Sequence, residues 1–313
     1  MLILFAFCLF ISAVLLFWIE PLFGKMILPM LGGTPSVWNT CMVFFQAFLL
    51  FGYVYAHMSI KYLGVKRQAL IHSGLILLPL LLLPVCIPKG WIPPEDVNPI
   101  PWLLLLMLVS LGLPFFVISS SAPMLQKWFS STKHRAAKDP YFLYAASNLG
   151  SLLILIGYPV FIEPNLTLLE QSKWWQYFYY LFLILTISCA LIVMRFSKDE
   201  MSEQISDEKD IEKINFNQKI KWFLLSFVPS SLMLGVTSYV STDVSPVPLI
   251  WIIPLALYLL TFIIVFSTRP ILKHEHMVKA MPFIVLFSFL YIVCKSYPIW
   301  FIFFLHLFQF VIK

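Results

Sequence analysis

Run after run of about twenty apolar residues follows along this chain, with only short polar breaks between them. A run of that length spans the hydrocarbon core of a bilayer as a helix. In lipid the backbone must satisfy its own hydrogen bonds, which leaves helices or a closed barrel. Barrel strands alternate in polarity and are about ten residues long; these runs are continuous and longer. The sequence therefore predicts an all-α, polytopic integral membrane protein whose first partner is the lipid bilayer. Composition agrees: 60% of the residues are hydrophobic and 12% charged, against about 25% charged in soluble domains.

The first six runs cover residues 2–19, 37–58, 69–87, 102–125, 141–162 and 175–194. Glu20-Pro21 reads as the stop of the first. The apolar stretch 22–31, broken by Gly24 and Pro29 and followed by Gly32-Gly33, is too short to span, so it is expected to lie at the interface or re-enter. No basic residue precedes the first run and Phe17 to Pro21 is a poor cleavage site, so a retained helix is expected rather than a signal peptide. Further runs follow a charged stretch, at 222–240, 248–266, 278–293 and 299–312. The domain reading is a first bundle of six helices over 1–195, a charged cytoplasmic linker over 196–221 and an incomplete second bundle of about four helices over 222–313. About nine or ten spans result, and the chain reads as a fragment, a split product or a shortened homologue.

Basic residues set the orientation. With the N-terminus in the cytoplasm, every Lys and Arg except Lys25, Lys89, Lys173 and Lys295 falls on the cytoplasmic side. The net charge of +6 is thus topological, and no nucleic-acid partner is expected. Cys8, Cys41, Cys86, Cys189 and Cys294 lie in or beside apolar runs without a CxxC or Cys/His cluster, so neither disulfide nor metal is expected. His274-Glu275-His276 is not a zinc motif. Six spans, a charged cytoplasmic linker and more spans form a major-facilitator-like layout.

Several stretches carry a family resemblance. They are Ile19-Glu20-Pro21-Leu22-Phe23-Gly24-Lys25-Met26 with Leu31-Gly32-Gly33-Thr34-Pro35-Ser36-Val37-Trp38-Asn39-Thr40; Ala122-Pro123-Met124-Leu125-Gln126-Lys127-Trp128-Phe129; Asp139-Pro140-Tyr141 through Ser147-Asn148-Leu149-Gly150-Ser151; and Val228-Pro229-Ser230 through Thr237 with Ser241-Thr242-Asp243-Val244. These resemble the membrane half of bacterial fused major-facilitator/spermidine-synthase-like proteins. The resemblance implies a multi-pass protein of the bacterial inner (cytoplasmic) membrane. The soluble synthase-like domain of that family has no counterpart here. No GxG turn follows a strand, so no enzymatic activity and no cofactor are expected.

Carboxylates at span ends are the sharpest polar features, because a charge inside a membrane helix costs at least ~2.5–3.5 kcal/mol on insertion scales. Glu20, Glu163 and Asp243 are expected at the outer ends of the first, fifth and seventh spans. One reading makes them an acidic vestibule for a cationic solute such as a polyamine, with Trp38 and Trp251 adding cation–π contacts. The other makes them solvated helix-end residues. Asn39, Gln46 and Asn148 either line a path or act as interhelical hydrogen-bond glue. Ser119-Ser120-Ser121 with Pro123 either opens backbone to a ligand or makes a packed kink.

The expected function is transporter-like movement of a small cationic or amphipathic solute, with Glu20, Trp38, Asn39, Asn148, Glu163 and Asp243 as candidate binding residues. The alternatives are a non-transporting anchor or scaffold for a soluble spermidine-synthase-like partner, or an inactive truncated homologue. A homo-oligomer is a further expectation, since an incomplete second half does not enclose a central path alone.

Overall fold

The computed structural model describes residues 1–94, 98–138, 140–196 and 215–239 of the chain, with a few isolated positions beyond. Among these the regular structure is helical, with no strand. The chain divides into two compact units, Met1–Asp210 and Ile211–Lys313. In the first, five stretches are long and apolar enough to cross a membrane: Leu2–Leu31 (α1), Ser36–Leu81, Pro99–Ser130 (α3), Phe142–Asn165 (α4) and Leu168–Phe196 (α5). The α-helical part of the second stretch, Pro35–Leu75, is α2. In the second unit the described helix is Phe216–Tyr239 (α6), over most of the seventh expected run. Asp243, Trp251 and the later runs lie outside the described residues.

Glu20-Pro21 does not stop the first helix, and 22–31 is no separate segment but the continuation of that helix. α1 continues through Pro21 and Pro29 to Leu31 and ends where Gly32, at φ 73, donates its N–H to Leu28 O. A proline removes one N–H and crowds one carbonyl, a defect that neighbouring helices tolerate inside a membrane bundle. Leu22, Phe23 and Ile27, beyond Pro21, are as buried as Leu15 and Ile19 before it. Packing carries the helix across the proline.

The Ser36–Leu81 stretch is not one span. Gly64 sits at φ 72, ψ 173, a conformation essentially reserved for glycine, and the chain doubles back there. Gln68 Nε2 donates to Ala56 O at 2.9 Å and to Ser59 Oγ at 2.7 Å, stitching limb 65–75 against limb 35–63. The third run, expected as a helix over 69–87, is shorter. Its α-helix ends at Leu75, a 3-10 turn covers Leu78–Leu81, and non-helical chain follows through Pro84 and Pro88. Prolines 79, 84 and 88 each remove a backbone donor.

Prolines also shape α3 and α4. Each contains a π-helical turn, Leu108–Gly112 just before Pro114 and Tyr158–Ile162 just before Pro164. In the second, Glu163 N–H reaches back five residues to Tyr158 O. Widening the turn by one residue makes room for a ring that would otherwise strike the preceding carbonyl.

Helix α1 is the hub, packed on α3, α4 and α5. Lipid tails are as apolar as leucine, so close approach and interhelical hydrogen bonds hold such a bundle rather than apolar burial alone. A Cβ on Gly150 of α4 would lie 2.6 Å from Phe10 O of α1, and one on Gly52 of α2 2.9 Å from Ser120 N of α3. Trp175 Nε1 of α5 donates to Leu15 O at 3.0 Å, and Cys8 Sγ lies 3.4 Å from Thr186 Oγ1. Helices α1 and α5 run antiparallel, whereas α1 and α4, and limb 35–63 of α2 and α3, run parallel.

That topology sorts the helix ends. One end holds the α1–α2 turn at 32–34, the α4–α5 turn at 166–167 and the start of α3. The opposite end holds Met1, the Gly64 turn and loop 131–140, and with them Lys61, Lys66, Arg67, Lys127, Lys133, Arg135 and Arg195.

Candidate functional site

The end of the bundle with the α1–α2 turn gathers the acidic candidates. Glu20 is buried on α1 and, among the described residues, makes no hydrogen bond or ion pair. One helical turn on, Gly24 is pressed by the Trp38 indole at the start of α2; a Cβ there would meet ring carbons at 2.6 Å. Only glycine lets the edge of that half-buried ring come so close to α1. Asn39, next to Trp38, is exposed.

Glu163 is not a lone carboxylate. Lys25 Nζ of α1 donates to Glu163 Oε1 of α4, an ion pair between the ends of two parallel helices. Tyr158, fully buried one turn below, lies within electrostatic reach of Glu163, and its hydroxyl has no partner among the described residues. The structure thus brings Glu20, Trp38, Asn39 and Glu163 to one end of the bundle. Asn148 lies elsewhere, half-buried nearer the opposite end of α4. Asp243 lies outside the described residues.

A second feature runs along α2. Asn39, Val43, Gln46, Leu50, Tyr53 and His57 are all exposed and recur every three or four residues, forming one stripe down the helix. Polar and apolar side chains share it.

The three serines of α3 are packed. Ser119 Oγ donates to Phe116 O at 2.9 Å, while Ser120 and Ser121 both donate to Val117 O, at 2.9 and 2.7 Å. Such back-bonding uses the hydroxyl within its own helix and leaves little for a ligand. Among the described residues no three His, Cys, Asp or Glu side chains come together as a metal site.

Lys25 and Tyr158 were not among the sequence candidates. Lys25 carried a signal: it is one of four basic residues that break the charge bias, and a cation among apolar residues needs a counter-ion. Tyr158 carried none, because its neighbourhood depends on how α4 widens at the π-turn. No family model, curated protein or solved structure matches this chain.

Proposed function

We propose that the chain is a multi-pass protein of the bacterial inner membrane, major-facilitator-like with its N-terminus inside, that moves a small cationic or amphipathic solute. The observation that carries this reading is the α2 stripe. Polar side chains within a membrane span face protein or a water-filled path rather than lipid. Asn39, Gln46, Tyr53 and His57 leave their own bundle on an exposed face, at heptad-like spacing interrupted by Val43 and Leu50. Such a lining suits a solute with both charged and apolar parts, a polyamine among them.

Glu20, buried on α1, is the acidic group that the stripe itself lacks. Glu163 is balanced by Lys25, so the acidic vestibule reduces to Glu20 in the described part of the chain. The resemblance to the membrane half of the fused major-facilitator/spermidine-synthase-like family supports the same reading, and it also keeps a polyamine-related solute in view.

Uptake of radiolabelled spermidine and putrescine into proteoliposomes tests the proposal. Saturable uptake is expected with the native chain, with Glu20→Gln and Gln46→Leu each reducing it at least tenfold at equal protein. Uptake no greater than in empty liposomes, with the protein folded and inserted, overturns it.

A further inference from the structure

Where the α2 hairpin meets α3, a set of polar side chains is enclosed between helices. Gln68 is bonded at both ends of its amide: its Nε2 donates to Ala56 O and Ser59 Oγ, and its Oε1 accepts from Trp128 Nε1 at 2.9 Å. Next to it, His72 is fully buried, with its ring 6.0 Å from Trp128 and 6.1 Å from Tyr55. His72 Nε2 lies 3.4 Å from Ser121 Oγ. The Ser121 proton is already committed to Val117 O at 2.7 Å. The hydroxyl therefore accepts, and Nε2 carries the imidazole proton. His72 Nδ1 is then a bare acceptor.

Two atoms in this cluster have no partner among the described residues: His72 Nδ1 and the Tyr55 hydroxyl, both shut off from the surface. One is an acceptor and the other a donor, on neighbouring rings. An orphaned buried polar group is costly, about 1–3 kcal/mol each. In native interiors such groups are satisfied by protein or by ordered water. Gln68, Ser59, Ser121 and Trp128 already bond one another or the backbone, and neither orphaned atom hydrogen-bonds to any of them.

We propose that the α2–α3 junction is a water-binding site in which one ordered water accepts from Tyr55 Oη–H and donates to His72 Nδ1. The water ties the two limbs of the hairpin together, since Tyr55 belongs to limb 35–63 and His72 to limb 65–75. It makes the hairpin and α3 a single hydrated joint inside otherwise apolar surroundings. This inference is independent of what the protein moves.

The sign of one substitution tests it. Removing a hydroxyl that bonds nothing relieves a buried orphan, so Tyr55→Phe then leaves the melting temperature of the purified protein in detergent unchanged or raised. Removing a hydroxyl that holds a shared water lowers it, by about 2–4 °C, and the same substitution in a His72→Phe background has little further effect. That pattern is expected. A rise or no change on Tyr55→Phe, or an equal fall in both backgrounds, overturns the proposal. Should His72→Phe fail to fold, radiolytic hydroxyl-radical labelling of the native chain decides. A radical born from the ordered water oxidises His72 although its ring is fully buried, with exposed Tyr53 as the control. Labelling of Tyr53 without His72 overturns the proposal equally.

Discussion

Lys25 of α1 and Glu163 of α4 pair at the same end of two parallel helices, half-buried at 21% and 31% side-chain exposure. The pair couples the two helices at the point where α4 has just passed its π-turn. It also removes one of the carboxylates that the sequence offered for cation binding.

Breaking that pair is expected to hurt more than removing it. Lys25→Met or Glu163→Gln alone strands a partly buried charge or its hydrogen bond, at about 1–3 kcal/mol. The double variant is expected to lose clearly less than the sum of the two singles. Thermal melts of the four proteins in one detergent give the coupling directly, and simple additivity would show that the pair contributes nothing.

Glycine substitutions should sort by what a Cβ meets. Gly150→Ala drives a methyl to 2.6 Å from Phe10 O, a backbone atom that cannot swing away, and is expected to cost about 1–3 kcal/mol. Gly74, within α2, has nothing within 4 Å of its Cβ position. There Gly74→Ala is expected to stabilise by about 0.5–1 kcal/mol. Opposite shifts in melting temperature check the pair of predictions together.

The hairpin depends on one backbone conformation. At φ 72, ψ 173 Gly64 lies outside the left-handed helical region that asparagine tolerates. Gly64→Ala and Gly64→Asn are therefore both expected to destabilise, by about 1–3 kcal/mol. A harmless Gly64→Asn would mean that the turn is an ordinary left-handed one.

Trp128→Phe keeps the buried ring but takes the donor from Gln68 Oε1. A loss of about 1–3 kcal/mol is expected from the stranded acceptor. Adding Gln68→Leu to Trp128→Phe is expected to cost less than Gln68→Leu does in the native background. Unfolding of the two singles and the double gives the comparison.

What the sequence determined by itself follows from solvent and period. Long apolar runs identify helices, because lipid offers the backbone no hydrogen-bond partner. The runs at 102–125 and 175–194 lie within α3 and α5, and the run at 141–162 lies within α4 but for its first residue. Lys61, Lys66, Arg67, Lys127, Lys133, Arg135 and Arg195 gather at one end of the first unit, with Lys25 at the other. At the start of α5 Glu170 Oε2 accepts from Thr167 N–H at 2.9 Å, a local cap that the sequence reading passed over.

Other features were decided only by tertiary contact. Whether Pro21 ends a helix depends on what packs beyond it, and nothing local in Glu20-Pro21 reveals that Leu22, Phe23 and Ile27 are buried. Gly64 looks like any other glycine until its φ and ψ are known. Lys25 and Glu163 are far apart in sequence, so their charges were counted separately although they neutralise each other in space. Nothing local in Tyr55 or His72 marks them as neighbours. Their closeness arises because a one-residue turn folds two limbs of one helix together and presses them onto α3. Local propensity reports on solvent and period; the partner of a buried polar group is a property of packing.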